Sequence, residues 1–280
     1  MKNCLIIVNT YKEESQILAK EIVKFLDENR VSHNVLEFNG FSDVYPFIGY
    51  DFVITLGGDG TVLYACRGCA NLGIPVFPIN LGQFGFIAGI QKNQWKSSLK
   101  DFLGDNAQIY KRSLLSFKVV RDGCEIYSGC GLNDLVVNSK VIANVINLEL
   151  ACNDISLGEC KADGVIVATS TGSTAYSASA GGPIVDPEVE ALVLTPLNPF
   201  SLSMRPLLVN AYSEISVKIM HSRVDEYILT VDGQKPYELI EGDIVKITKL
   251  NKNALLVGTS KENFYNALRF KLNWSGGPHA

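Results

Sequence analysis

The sequence predicts an α/β N-terminal domain, doubly wound around a mostly parallel sheet, followed by a β-rich, mainly antiparallel C-terminal domain. Three observations carry this. Short apolar runs alternate with helical stretches up to about residue 108, the order expected of βαβ units. One of those runs, 51–56, ends in the glycine turn Leu56-Gly57-Gly58-Asp59-Gly60-Thr61 and leads into a helical pattern. After 104–106 the alternation stops, and short apolar or alternating runs are separated by Gly, Asp and Asn turns. The expected domains are 1–108, rejoined by a C-terminal helix within 262–280, and 109–261.

In the first half, 5–8, 34–38, 51–56 and 75–79 read as strands. A helix is predicted over 13–29, where Ile17, Leu18, Ile22, Phe25 and Leu26 recur at helical steps. A second is predicted over 94–103, with Trp95, Leu99 and Phe102 on one side. In such a sheet ligands bind at the carboxyl ends of strands. The glycine turn is at one such end, and Asn80-Leu81-Gly82-Gln83-Phe84-Gly85-Phe86 is at another. In the second half, strands are predicted at 113–120, 125–128, 135–137, 145–151, 164–168, 214–219, 227–231 and 243–249, with hairpin turns at Asp232-Gly233 and 241–243. A final helix is predicted over 263–272.

With 280 residues, a net charge of −4 and no Lys/Arg cluster, the chain has no electrostatic footprint for a nucleic-acid backbone. No stretch approaches a membrane span and the N-terminal apolar run is too short for a signal peptide, so a cytoplasmic protein is expected. The seven cysteines are scattered without a framework, which fits reduced thiols. Cys66 and Cys69 have metal-pair spacing, but they sit in an apolar helix with no second pair.

The glycine turn is the first candidate site. Gly57, Gly58 and Gly60 allow close approach of backbone to a phosphate chain and permit positive φ, and the following helix start attracts anions. Asp59 is repelled by phosphate, so its presence points to a hydroxyl to deprotonate or a Mg2+ to help hold. A tight turn with a solvated aspartate is the plainer alternative. The second candidate is the hydroxyl-rich 169–177, which reads as a loop entering a helix and either binds a ligand or caps the backbone. The third is Asn133-Asp134. Neighbouring strand residues point to opposite faces, so the two share a ligand only where the strand begins irregularly; otherwise they are turn residues.

Together these segments resemble the NAD kinase family over most of the chain. The residues that carry the likeness are Gly57-Gly58-Asp59-Gly60-Thr61, 80–86, Asn133-Asp134, Asp163-Gly164 with Thr171-Gly172-Ser173-Thr174-Ala175-Tyr176, the segment 195–207, and Val231-Asp232-Gly233-Gln234. The resemblance implies transfer of the γ-phosphate of ATP to the 2′-hydroxyl of the adenosine ribose of NAD. Asp59 is then the catalytic residue, and Gly57, Gly58, Gly60 and Thr61 hold phosphates. Asn133 and Asp134 grip ribose hydroxyls, while Thr174, Ala175 and Tyr176 receive the adenine side. Asp163 meets the nicotinamide carboxamide, and Lys161 and Thr171 are further NAD-binding positions. Mg2+ or another divalent metal is expected through the ATP phosphates, with no protein ligand assigned. The active site is expected between the domains, in a homodimer or homotetramer.

This sequence departs from the family pattern. Asp134 replaces the usual Glu, shortening the reach by roughly 1.5 Å, and Lys161 stands where Arg is common, replacing a bidentate fork by a point charge. Gln83 and Phe200 occupy positions that are often basic and His. These changes bear on phosphate handling and donor preference. Two other readings share features: a lipid kinase, which shares the glycine motif but would need a membrane-facing stretch that is absent here, and a non-catalytic NAD or NADP sensor, against which Asp59 argues.

Overall fold

The computed structural model describes residues 2–42, 44–82, 85–141, 144–223 and 225–272; Gln83, Phe84 and the end of the C-terminal segment fall outside them. In chain order the first elements are β1 (Asn3–Asn9), α1 (Glu13–Glu28), β2 (Ser32–Phe38), β3 (Phe52–Gly57), α2 (Asp59–Cys69), β4 (Pro75–Asn80), β5 (Ile90–Gln91) and α3 (Trp95–Leu103). Then come β6 (Ile109–Arg121), β7 (Cys124–Gly131), β8 (Asp134–Ser139), β9 (Ile146–Cys152), β10 (Ile155–Ala162) and β11 (Gly164–Thr169). The rest are α4 (Tyr176–Ser179), β12 (Ala191–Leu197), β13 (Leu207–Asn210), β14 (Ile215–Met220), β15 (Tyr227–Val231), β16 (Tyr237–Leu239), β17 (Ile244–Val257) and α5 (Lys261–Lys271). The chain forms two compact units, residues 1–112 with 252–280 and residues 113–251. The division falls at 112 and 252 because β6 and β17 are each longer than the sequence pattern suggests.

In the N-terminal unit the strands lie in the order β4-β3-β1-β2, all parallel, with Ile6 opposite both Val35 and Ile54 and Ile54 opposite Phe77. Cys4, Ile6, Val8, Ile54, Leu56, Phe77 and Ile79 on one face pack with Leu18, Ile22, Phe25 and Leu26 of α1 and Trp95, Leu99 and Phe102 of α3. The alternate residues Leu5, Ile7 and Val53 are equally buried, so both faces are covered, as a parallel sheet requires. Ile17, by contrast, is 54% exposed; the turn-to-turn drift of α1 carries it off the buried stripe that Leu18 and Ile22 define. The crossover through α1 takes the chain from β1 to β2 on one side, and β3 and β4 then extend the sheet on the other. The carboxyl ends of β1 and β3 therefore flank the topological switch point.

The β-rich unit is built on two antiparallel layers. One is the six-stranded sheet β13-β12-β11-β8-β15-β16; the other includes β10-β9-β14 and the start of β17, with β6 and β7 alongside. Leu135, Val137, Val165, Val167, Leu192, Leu194 and Leu229 of the first share a core with Leu115, Phe117, Leu148, Leu150, Val217 and Val245 of the second, the face-to-face packing of a sandwich. The far face of the six-stranded sheet, with Val136, Ile166, Ala168 and Val193, is closed by Ala180 and Val185. That closing segment is the one that follows the hydroxyl-rich loop. All seven cysteines are free, with Cys66 and Cys69 buried in α2. Among the described residues no helix is long and apolar enough to cross a membrane.

Candidate functional site

The glycine turn is tighter than the sequence suggests. β3 runs through Gly57 and α2 begins at Asp59, leaving Gly58 alone between them with φ −102° and ψ −170°. None of Gly57, Gly58 and Gly60 takes a positive φ, so the expectation that these glycines serve left-handed backbone is corrected. Their value is steric. A Cβ on Gly57 would stand 2.3 Å from Thr61 Oγ1 and 3.3 Å from Asn9 Cβ, so only glycine lets the end of β3 close on α2. A Cβ built on Gly58 or Gly60 would meet nothing within 4 Å, so the side-chain side of both is open at the start of α2.

Asp59 is the first residue of α2 and is half-buried. Its Oδ1 accepts the Ala88 N–H at 3.3 Å, and its carboxylate lies where a Cβ on Gly85 would be 2.3 Å away. Glycine at 85 is thus what admits the carboxylate. Among the described residues this one long N–H bond leaves most of its acceptor sites vacant, and hard oxygen ligands of this kind suit Mg2+. Thr61 faces the other way: it is 2% exposed and its hydroxyl receives Asn9 Nδ2 at 3.4 Å. It supports the turn from beneath, and Asn9 is a partner that the sequence did not mark.

In the β-rich unit three segments meet. β8 begins at Asp134, so Asn133 lies at the irregular strand start that a shared ligand requires. Thr169 at the end of β11 fastens it: its N–H donates to Asn133 O at 2.8 Å, and its hydroxyl donates to Leu132 O at 2.6 Å and accepts the Gly172 N–H at 3.0 Å. Gly172 fits against this backbone so closely that a Cβ would stand 1.9 Å from Asn133 O. From the opposite side the Asp232 carboxylate accepts the N–H groups of Leu132, Asn133 and Asp134 at 3.0, 2.8 and 3.3 Å. Asp232 was legible as a hairpin turn, which its φ of 50° fits, and as part of the family-like segment 231–234; its clamp on residues a hundred positions away was not.

Burial first, and then the charge of Asp232, push the Asp134 carboxyl up to about 7 against the opposing Tyr176 backbone N–H. That N–H contact joins the Asn133-Asp134 corner to the hydroxyl-rich loop. Asn133 Oδ1 and Thr171 Oγ1 are buried with no hydrogen-bond partner, and such orphans are rare unless a ligand or water completes them. The loop itself is a 3-10 turn over Gly172–Thr174 followed by the single turn α4. The helix expected there is thus too short to supply a helix-end field, and side chains carry the polarity. Thr174 Oγ1 donates to Thr171 O at 3.2 Å, Ala175 is half-buried, and Tyr176 is 49% exposed and so is no core aromatic.

Asp163 and Lys161 lie elsewhere. They precede β11, whereas Thr171 to Tyr176 follow it, and the five steps along β11 span roughly 17 Å. Asp163 accepts Asn198 Nδ2 at 2.9 Å, a partner not singled out in the sequence, and Lys161 is exposed on β10. The expected NAD-binding positions therefore form two groups, one at each end of β11. Outside both, the exposed His221, Asp225 and Glu241 bring metal-type ligand atoms within 4.8 Å of one another, with His221 Nδ1 and Glu241 Oε2 already paired at 2.9 Å.

A switch-point glycine turn with a vacant carboxylate is the equipment of a nucleotide-dependent phosphotransferase. Residues 47–107 match the ATP-NAD kinase N-terminal domain and residues 132–259 the ATP-NAD kinase C-terminal domain. The chain is 45% identical to an NAD kinase of Treponema denticola over 99% of its own length and 98% of the relative's. It is similar to the crystal structure of an Archaeoglobus fulgidus NAD kinase in complex with ATP, with a TM-score of 0.76 and 27% identity over 94% of this chain and 96% of that one. It also shares the fold of a yeast NADH kinase complexed with NADH, with a TM-score of 0.87 and 24% identity over 99% of this chain and 89% of that one. The chain belongs to the NAD kinase family.

Proposed function

We infer that this chain transfers the γ-phosphate of ATP to the 2′-hydroxyl of the adenosine ribose of NAD, producing NADP and ADP. The observation that carries the reading is the setting of Asp59: a carboxylate with vacant acceptor sites, admitted by Gly85, beside an open helix start. Family membership supports this reaction over the lipid-kinase and sensor readings.

Asp59 takes the proton of the 2′-hydroxyl as that oxygen bonds to the γ-phosphorus and the bond to the β-phosphate oxygen breaks. A placed base contributes about a hundred- to ten-thousand-fold. The N–H groups exposed around Gly58 and Gly60 position the phosphates, which matters because phosphoryl transfer depends on placement and charge neutralisation. Bound to the donor phosphates, Mg2+ supplies part of that neutralisation. Asn133 Oδ1 and Thr171 Oγ1, vacant in the free protein, bind polar groups of NAD; Asp134 accepts from ribose hydroxyls and Tyr176 flanks the adenine. Asp163 and Lys161 serve the nicotinamide end. A cytoplasmic homo-oligomer fits the β-rich unit, whose edge strand β10 exposes Ile155 and Leu157 at 70% and 42%, an edge that proteins usually cover.

The test is purified protein with ATP, Mg2+ and NAD, NADP being read through an NADP-dependent dehydrogenase, beside Asp59→Asn. Wild-type turnover with a loss of about a hundredfold or more in kcat for the variant, at unchanged melting temperature, is expected. Equal turnover by the variant, or phosphorylation of a lipid instead of NAD, contradicts the assignment. Repeating the assay over ATP, other nucleoside triphosphates and polyphosphate, with NAD and NADH, fixes donor and acceptor preference.

A further inference from the structure

Lys12 lies at the switch point, just after β1 and immediately before α1, with extended backbone at φ −118° and ψ 110°. Its half-buried ammonium donates to Leu81 O at 2.8 Å. The N–H of that same Leu81 donates to Gly57 O at 3.0 Å, so a single residue links the ammonium to the glycine turn. The ammonium also comes within 3.1 Å of the place a Cβ on Gly82 would occupy, so glycine there keeps the approach open.

Among the described residues this cation has no counterion: no carboxylate pairs with Lys12, and of the two first-turn acids of α1, Glu13 and Glu14, the second is taken by Lys92. One carbonyl uses one of three ammonium donors. An arriving anion can take up the remaining donors in charge-assisted bonds. The anion that the glycine turn admits is a polyphosphate.

We propose that Lys12 binds the triphosphate of the phosphate donor, supplying the positive charge that the glycine turn itself lacks. The assignment rests on the reading of the chain as a nucleotide-dependent kinase. Lysine suits the role as a compact, mobile point charge, and phosphoryl transfer requires neutralisation of the donor's oxygens.

The experiment compares the full chain with Lys12→Met and Lys12→Arg, measuring KM for ATP, KM for NAD, melting temperature and calorimetric binding of inorganic tripolyphosphate with Mg2+ in the absence of NAD. A charge-assisted bond of this kind is worth roughly ten- to a hundredfold in affinity. Lys12→Met is expected to raise KM for ATP and weaken tripolyphosphate by that factor, leaving KM for NAD and the melting temperature unchanged, and Lys12→Arg to restore most of both. Unchanged ATP and tripolyphosphate affinity overturns the proposal. So does a rise confined to KM for NAD, or a fall in melting temperature with loss of both substrates that Arg does not rescue, since that marks Lys12 as a mere fastener of Leu81. Tripolyphosphate binding that depends on Lys12 in a wild-type protein unable to phosphorylate NAD would sink the kinase reading and leave this one standing.

Discussion

The two glycine-containing polar segments, 57–61 and 169–177, look alike in sequence and are built on opposite principles. A Cβ on Gly58 or Gly60 would meet nothing within 4 Å, and among the described residues Asp59 makes one long hydrogen bond. In the other segment nearly every hydroxyl is committed: Thr169 to the Asn133 corner, Ser173 to Ser170 O at 2.7 Å and Val185 N–H at 2.9 Å, and Ser177 to Thr195 at 3.0 Å. The first segment offers open backbone to a ligand that brings its own charge. The second is a knitted scaffold, and the working groups are the few left out of the knitting, its own Thr171 Oγ1 and, from the corner it fastens, Asn133 Oδ1. A run of small polar residues is therefore not itself a binding site. What distinguishes the binding atoms is that folding has not used them.

The largest effect that breaks the comparison is kinetic. Asp59→Asn should lower kcat by about a hundredfold or more while leaving the fold intact, because the side chain is barely engaged. Next comes a pair of identical substitutions. Gly172→Ala drives a methyl into the Asn133 backbone and should cost about 1–3 kcal/mol in urea denaturation, with NAD binding lost alongside. Gly58→Ala meets open space at an allowed φ and should cost under about 1 kcal/mol, its damage confined to KM for the phosphate donor. Equal destabilisation by the two would show that the segments are not built differently.

A smaller effect follows from Asp134, whose carboxyl is raised to about 7 from an unperturbed 3.8. Between those values the folded chain holds a proton that the unfolded chain has released, so this group's contribution makes stability fall as pH rises from about 4 to about 7, by at most about tenfold in the unfolding constant per pH unit. Asp134→Asn should remove that slope in denaturation series across the interval. For NAD the sign reverses: a carboxylate that accepts ribose hydroxyls must be ionised, so KM should fall as pH rises through about 7 in wild type and not in the variant.

Much of the architecture was legible in the sequence. The parallel half announced itself through apolar runs buried on both faces and through the helical spacing of Leu18, Ile22, Phe25 and Leu26. β10 was missed because its first five residues are exposed and carry no alternation. β12 was missed although all seven of its residues are buried, because Pro196 interrupts the pattern that marks a strand. β17 runs eight residues beyond the expected 249, to Val257, through an Asn-Lys-Asn stretch that reads as a turn. Of the site, Asp59 and the Asn133-Asp134 corner were visible as chemistry in odd places. Asn9, Asn198 and Lys12 were not, and Asp232 was visible only as a turn and a motif position without its role, since each matters through a partner far along the chain. Of the two reasons given for the glycines, left-handed backbone is overturned; crowding at Gly57 and room for a side chain at Gly58 and Gly60 explain them instead.

The claim at the centre is that chemistry at Asp59 and recognition of NAD at Asn133 are separable. Calorimetric titration of NAD, without a phosphate donor, into Asp59→Asn and Asn133→Ala tests it most directly, since the Asn133 side-chain oxygen has no partner to lose in the free protein. Asp59→Asn should keep the wild-type Kd within about threefold and Asn133→Ala should weaken it by about tenfold or more. NAD affinity abolished by Asp59→Asn and untouched by Asn133→Ala would contradict the account.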